Sequence, residues 1–182
     1  KEMMERPTRK RVRLHTYDYG NNGVYFVTIC AKDKKKLFGE MVGDGAFDVP
    51  TIRLSAVGRI VDKYIQSTQR IFGVTVDKYV IMPNHLHLLI CIDRDDGTSR
   101  APSPTDENTQ TAPDRNVAPP NQLLPHTIAT LKRFVHRDVG YTVFQRSYYD
   151  HVIRGEQDYR EIWEYIDQNP QKWQLDCFFV ND

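Results

Sequence analysis

The sequence predicts an α+β fold, a ferredoxin-like antiparallel sheet with helices packed on one face. Three observations carry this expectation. Residues 23–30, 74–82, 85–92 and a stretch ending at 153 are rich in β-branched, aromatic and aliphatic residues, the composition of strands. Residues 55–70, 123–137 and 156–168 place apolar side chains at helical spacing. The two kinds of segment follow in the order β, α, β, β, α, β, α. A chain of 182 residues, 40% hydrophobic and 27% charged, has the length and composition of one domain, here 1–182, with a core of its own. No internal repeat is present.

Taken in order, the head is basic, with Arg6, Arg9, Lys10, Arg11 and Arg13 close together; a solvated arm is the ordinary reading of such a run. Gly23 to Cys30 follows Asn-Asn-Gly and reads as a central strand. Lys32 to Lys36 end it, and residues 37–50, with three glycines, form a hairpin-like excursion. Ser55 is placed to cap a helix to about Arg70, whose buried face is Val57, Ile60, Val61, Tyr64 and Ile65. Two strands, 74–82 and 85–92, are separated by Pro83-Asn84. From Arg94 to Asn121 the chain holds five prolines and almost nothing apolar, the mark of a flexible surface insertion. A second helix starts at Leu123, with Ile128, Leu131, Phe134 and Val135 facing inward. Its other side carries Lys132, Arg133, His136 and Arg137. In the strand ending at Ile153, Tyr148 and Tyr149 face opposite ways, so one belongs to the core. The last helix, 156–168, is stopped by Asn169-Pro170.

Composition excludes some classes. No run approaches the ~18 apolar residues of a membrane span, and no secretory signal pattern is seen. Cys30, Cys91 and Cys177 are odd in number and far apart, which suits reduced, buried thiols in a cytoplasmic protein. The net charge of +1 gives no argument of its own for a nucleic-acid partner. The chain begins at Lys1, so residues are expected to precede it.

The most informative stretch is Tyr79-Val-Ile-Met-Pro-Asn-His-Leu-His-Leu-Leu-Ile-Cys-Ile92. On a strand His85 and His87 share a face, and from Leu88 onward both faces are apolar. Two imidazoles there cannot both be charged cheaply. A divalent cation would serve both; two hydrogen-bonded core histidines are the plainer reading of a bare His-x-His. In the last helix, Tyr159, Ile162, Trp163 and Ile166 make a buried stripe, and Tyr165 and Asn169 form an i, i+4 pair beside it. A phenol, whose pKa is near 10, attacks a phosphodiester only with help from a Lewis acid. Spacing alone leaves Tyr165 an ordinary helix-edge aromatic, one of ten tyrosines.

These segments together resemble the single-tyrosine transposases of the His-hydrophobic-His endonuclease superfamily, in particular the REP-associated tyrosine transposases. The matching pieces are 24–29, 79–88, Gln145 to Arg154 and Glu164 to Pro170, in the right order and spanning most of the chain. The resemblance implies that His85 and His87 bind a metal, Mg²⁺ or Mn²⁺ in the family, with Asn169 as the third, amide ligand. It implies that Tyr165, carried by the C-terminal helix, is the nucleophile. The partner it implies is single-stranded DNA bearing a hairpin, cleaved to a 5′-phosphotyrosine and a free 3′-hydroxyl and then rejoined. Relatives are homodimers or monomers. Arg9, Lys10, Arg11, Lys132, Arg133, Arg137, Arg146 and Arg154 are the candidate phosphate contacts. Two alternatives remain at this level: a noncatalytic hairpin binder on the same fold, and a metal-dependent nuclease that uses water.

Overall fold

The computed structural model describes residues 22–43, 50–93 and 122–179. The basic head, with Arg9, Lys10 and Arg11, and the 94–121 insertion lie outside them. Strands are β1 (Gly23–Cys30), β2 (Gly39–Val42), β3 (Thr51–Leu54), β4 (Val74–Ile81), β5 (His85–Ile92) and β6 (Tyr149–Val152). Helices are α1 (Ala56–Thr68), α2 (Leu123–Val139) and α3 (Glu156–Gln168), with a 3₁₀ segment at Pro170–Leu175. The main sheet has the order β4-β5-β1-β6, antiparallel at each junction. With α1 between β1 and β4 and α2 between β5 and β6, this is the ferredoxin-like split βαβ arrangement the element order predicts. The excursion after β1 is the two-stranded β2-β3 hairpin.

Helices α1 and α2 cover one face, as expected. Val61 and Ile65 of α1 and Leu124, Ile128, Leu131 and Val135 of α2 pack on Tyr25, Val27 and Ile29 of β1 and Leu86, Leu88 and Ile90 of β5. Helix α3 departs from the one-face expectation and lies on the opposite face, where Ile166 meets Phe26 and Leu89, with Val24, Val80, Tyr159 and Ile162 at the margin. The reason is in β5 itself: its second face carries Leu89 between His87 and Cys91, and an apolar face of a central strand must also be covered. Each large aliphatic side chain so buried contributes about 1.5–3 kcal/mol. Trp163, placed in the stripe by its spacing, sits at its rim, stacked beside Tyr159 and under the Lys78 ammonium, 4.4 Å from the ring centre. Tyr148 packs against the core and Tyr149 is exposed, as the strand alternation requires. The three cysteines are free thiols, half-buried at 30 and 91 and exposed at 177, not buried as expected. Among the described residues no helix is long and apolar enough to cross a membrane.

Local chemistry fixes the ends of α1 and α3. The Ser55 hydroxyl accepts from the Gly58 N–H at 3.0 Å and donates to the Leu37 carbonyl at 2.6 Å, capping α1. A Cβ on Gly58 would stand 1.9 Å from the Phe38 carbonyl oxygen, so only glycine lets α1 approach there. At α3 the Asp158 carboxylate reaches back to accept from the Arg154 N–H at 2.9 Å and from the His151 Nε2–H at 2.9 Å, in the manner of a capping box. The Arg154 N–H first, then the His151 ring, hold this carboxyl below the usual carboxylate range. A depressed folded pKa means stability that is present above the ordinary carboxylate pKa and is lost as pH falls through the folded one.

Two outcomes follow. Gly58→Ala should lower the unfolding free energy by about 2 kcal/mol or more, read by urea denaturation. Asp158→Asn should cost about 1 kcal/mol at pH 7 and less as the pH is taken below the carboxylate range; an equal loss at both pH values would refute the capping assignment.

Candidate metal and tyrosine site

Strand β5 brings His85 and His87 onto the face that α3 covers, both buried. Each ring is held at Nδ1. The Asn84 side chain donates its amide to the Lys34 and Phe178 carbonyls at 3.2 and 2.8 Å, so its oxygen faces His85. The His85 Nδ1–H donates to that oxygen at 2.9 Å, which leaves Nε2 as the lone-pair nitrogen. His87 Nδ1 bonds the Thr28 hydroxyl at 2.9 Å, because the antiparallel register sets Thr28 opposite His87. Both Nε2 atoms then converge, 3.0 Å apart. Anchoring one ring nitrogen and presenting the other is how metal-binding histidines are commonly oriented.

The third group is a carboxylate. Asp176, just past the 3₁₀ segment, sets Oδ2 3.7 Å from His85 Nε2, and the ligand atoms of His85, His87 and Asp176 all lie within 4.8 Å of one another. Its Oδ1 accepts from the Phe178 N–H at 2.7 Å and its Oδ2 from the Asn169 amide at 3.1 Å. Asn169 is thus brought to the site, but its amide nitrogen faces the carboxylate. Its oxygen is buried with no hydrogen-bond partner among the described residues, which a cation would satisfy. Two imidazole nitrogens, a carboxylate and an amide oxygen form a donor set that fits a divalent cation.

Tyr165 completes the group. Its hydroxyl lies 3.3 Å from His87 Nε2, its ring meets Phe26 edge-on at 5.9 Å, and it is 40% exposed, so it is reachable from solvent. Burial, then the negative charge of Asp176, push the phenol up to about 12. Burial lowers the proton affinity of both histidines, His85 to about 4 and His87 well below its ordinary value; Asp176 opposes this at His85, and the neighbouring His85 adds to it at His87. The imidazoles are therefore neutral and available as ligands near pH 7, while the phenol by itself is not a nucleophile there.

The basic candidates scatter. Lys132 donates to the carbonyls of Gln145, Arg146 and Ser147 at 2.9, 3.3 and 3.2 Å, so it fastens the 145–147 segment. Arg133 and Arg137 flank the Phe134 ring at 5.1 and 4.8 Å, on α2 and so on the face of the sheet opposite the histidines. Arg137 also donates to the Tyr64 hydroxyl at 3.0 Å. Arg146 and Arg154 are exposed. Sequence reasoning missed Asp176, Asn84 and Thr28; the one local signal for Asp176 was a lone acid following a Pro-initiated turn.

No protein-family model matches the sequence. Among solved structures, a REP-associated tyrosine transposase bound to a REP hairpin superposes with a TM-score of 0.57 at 17% identity, over 91% of this chain and 74% of that one. The fold is that of a single-tyrosine transposase. An uncharacterized protein of Haemophilus influenzae is 32% identical over 184 residues, 95% of this chain and 94% of that protein, and the chain belongs to the same family.

Replacing Lys132 by Met should lower stability by roughly 1–3 kcal/mol by leaving carbonyls without their donor, whereas Arg133→Gln should change it by no more than ~0.5 kcal/mol. Chemical denaturation of both variants reads the difference.

Proposed function

We propose that this protein is a metal-dependent transesterase that cuts and rejoins single-stranded, hairpin-bearing DNA through Tyr165. The observation that supports it most is the meeting of the Tyr165 hydroxyl with the paired Nε2 atoms of His85 and His87, on elements nearly eighty residues apart. His85, His87 and Asp176 would hold the cation, with the Asn169 oxygen as a further donor. A divalent ion held there would supply positive charge to the phenol and the phosphate. The phenol passes its proton to solvent water and its oxygen bonds to phosphorus. The bond from phosphorus to the 3′-oxygen breaks, and that oxygen leaves as a hydroxyl after taking a proton. The product is a 5′-phosphotyrosine, and attack by another strand's 3′-hydroxyl reverses the step. Because an ester is exchanged for an ester, no energy source is required. The fold it shares with a hairpin-bound transposase supports a DNA partner.

The test mixes the protein with Mn²⁺ or Mg²⁺ and hairpin oligonucleotides from the DNA flanking its gene. A denaturation-resistant adduct on Tyr165 is expected, absent in Tyr165→Phe and after chelation. Cleavage without an adduct would point to a water-using nuclease, and tight binding without cleavage to a noncatalytic binder. Independently of DNA, Mn²⁺ at about a hundred times its Kd should stabilise the wild type by roughly 2.7 kcal/mol. His85→Ala and Asp176→Ala should lose that increment in a thermal melt.

A further inference from the structure

Beside the metal site, on the same face of the sheet, is an open cavity of about 210 Å³. Its walls include Thr28, Gln145, Ser147, Tyr148, Tyr149 and Phe178. Two of these belong to the site as well. Thr28 holds the His87 ring, and Phe178 packs its own ring 4.7 Å from that of His85. The cavity and the metal site are therefore adjacent rooms with shared walls. Tyr149 and Phe178 bring two aromatic side chains to a space with room for one planar heterocycle but not for a base pair, while the Tyr148 ring is turned into the core. The Gln145 amide can donate and accept, and the Ser147 hydroxyl can do the same. No carboxylate is among the lining residues, and the Lys132 ammonium sits behind the cavity on the carbonyls of Gln145 and Ser147.

We infer that this cavity receives a single unpaired nucleobase, the one next to the phosphate presented to Tyr165, and so selects where the strand is cut. The inference rests on the reading of Tyr165 as nucleophile. Flipped bases are held in this manner, stacked on aromatic rings and read along an edge by hydrogen bonds. Gln145 is the group suited to read the edge, since an amide pairs with a base through one donor and one acceptor. Tyr149, 53% exposed, is the ring free to close on the base. Neither side chain carries the fold here: residue 145 is fastened through its main chain, its N–H to the Cys30 carbonyl at 2.9 Å and its carbonyl to Lys132.

The experiment is an abasic scan on the full chain. Affinity is measured for a hairpin oligonucleotide from the DNA flanking the gene, with each base of its single-stranded arms removed in turn. One position should weaken binding by roughly tenfold or more, and in Gln145→Ala/Tyr149→Ala that penalty should shrink to within about twofold. Gln145→Ala alone serves the same cycle if the double variant melts early. A penalty of equal size in wild type and variant, or no position that stands out, overturns the inference. Adduct formation is followed in parallel. An adduct on Tyr165 without this coupling removes the pocket and leaves the chemistry. Coupling without any adduct leaves a base-binding pocket and removes the cutting. Failure to bind the oligonucleotide with any divalent metal overturns both.

Discussion

The rest of the structure depends on one constraint, the burial of β5 on both faces while one face carries two imidazoles. Buried ring nitrogens need partners, and the penalty for leaving one unmet is of the same order as a whole hydrogen bond's desolvation cost. Asn84 and Thr28 take the two Nδ1 positions, and that choice leaves the two Nε2 atoms facing each other. The remaining elements answer this arrangement. Helix α3 covers Phe26 and Leu89 and in doing so delivers Tyr165. The segment after it sets Trp173 and Phe178 against the His85 ring, with centroids 5.8 and 4.7 Å away, and so shields it from water.

Much of this was legible in the sequence, for physical reasons that differ by element. The bounds of β5 were readable to the residue and those of α3 approximately, because a continuous apolar run after a Pro-Asn break and a 3.6-residue stripe before Asn-Pro are local signals. The common face of His85 and His87 needed only the period of a strand. That α3 would cross to the other face was implied by the same apolar run, yet a count of elements alone suggested a single covered face. What could not be read depends on long-range register. Thr28 faces His87 only because β1 and β5 pair in one register of many. Lys132 looked like a solvent-facing cation on its helix, and it became a fastener because the 145–147 segment folds back over it. Asp176 lies in a stretch without periodicity, where composition predicts nothing about position.

Electrostatically the site is prepared and unbalanced at once. Its imidazoles are kept neutral by burial, its phenol is kept protonated, and its carboxylate is aimed inward. Without positive charge beside it, the phenol stays in that form. The shared fold sets where such a site can sit, at the sheet face under the last helix, while the chemistry is set by the side chains that meet there.

The path from Tyr165 to Asp176 is eleven positions of one uninterrupted chain: the end of α3, Asn169 at its cap, and one short 3₁₀ segment. Tyr165 and Asp176 therefore ride on a common lever, pinned at one end by Ile166 in the apolar contact and at the other by the Phe178 carbonyl under Asn84. A displacement of that lever withdraws both parts together. States in which Tyr165 stands by the histidines with Asp176 withdrawn, or the reverse, are thereby disfavoured by the connectivity itself.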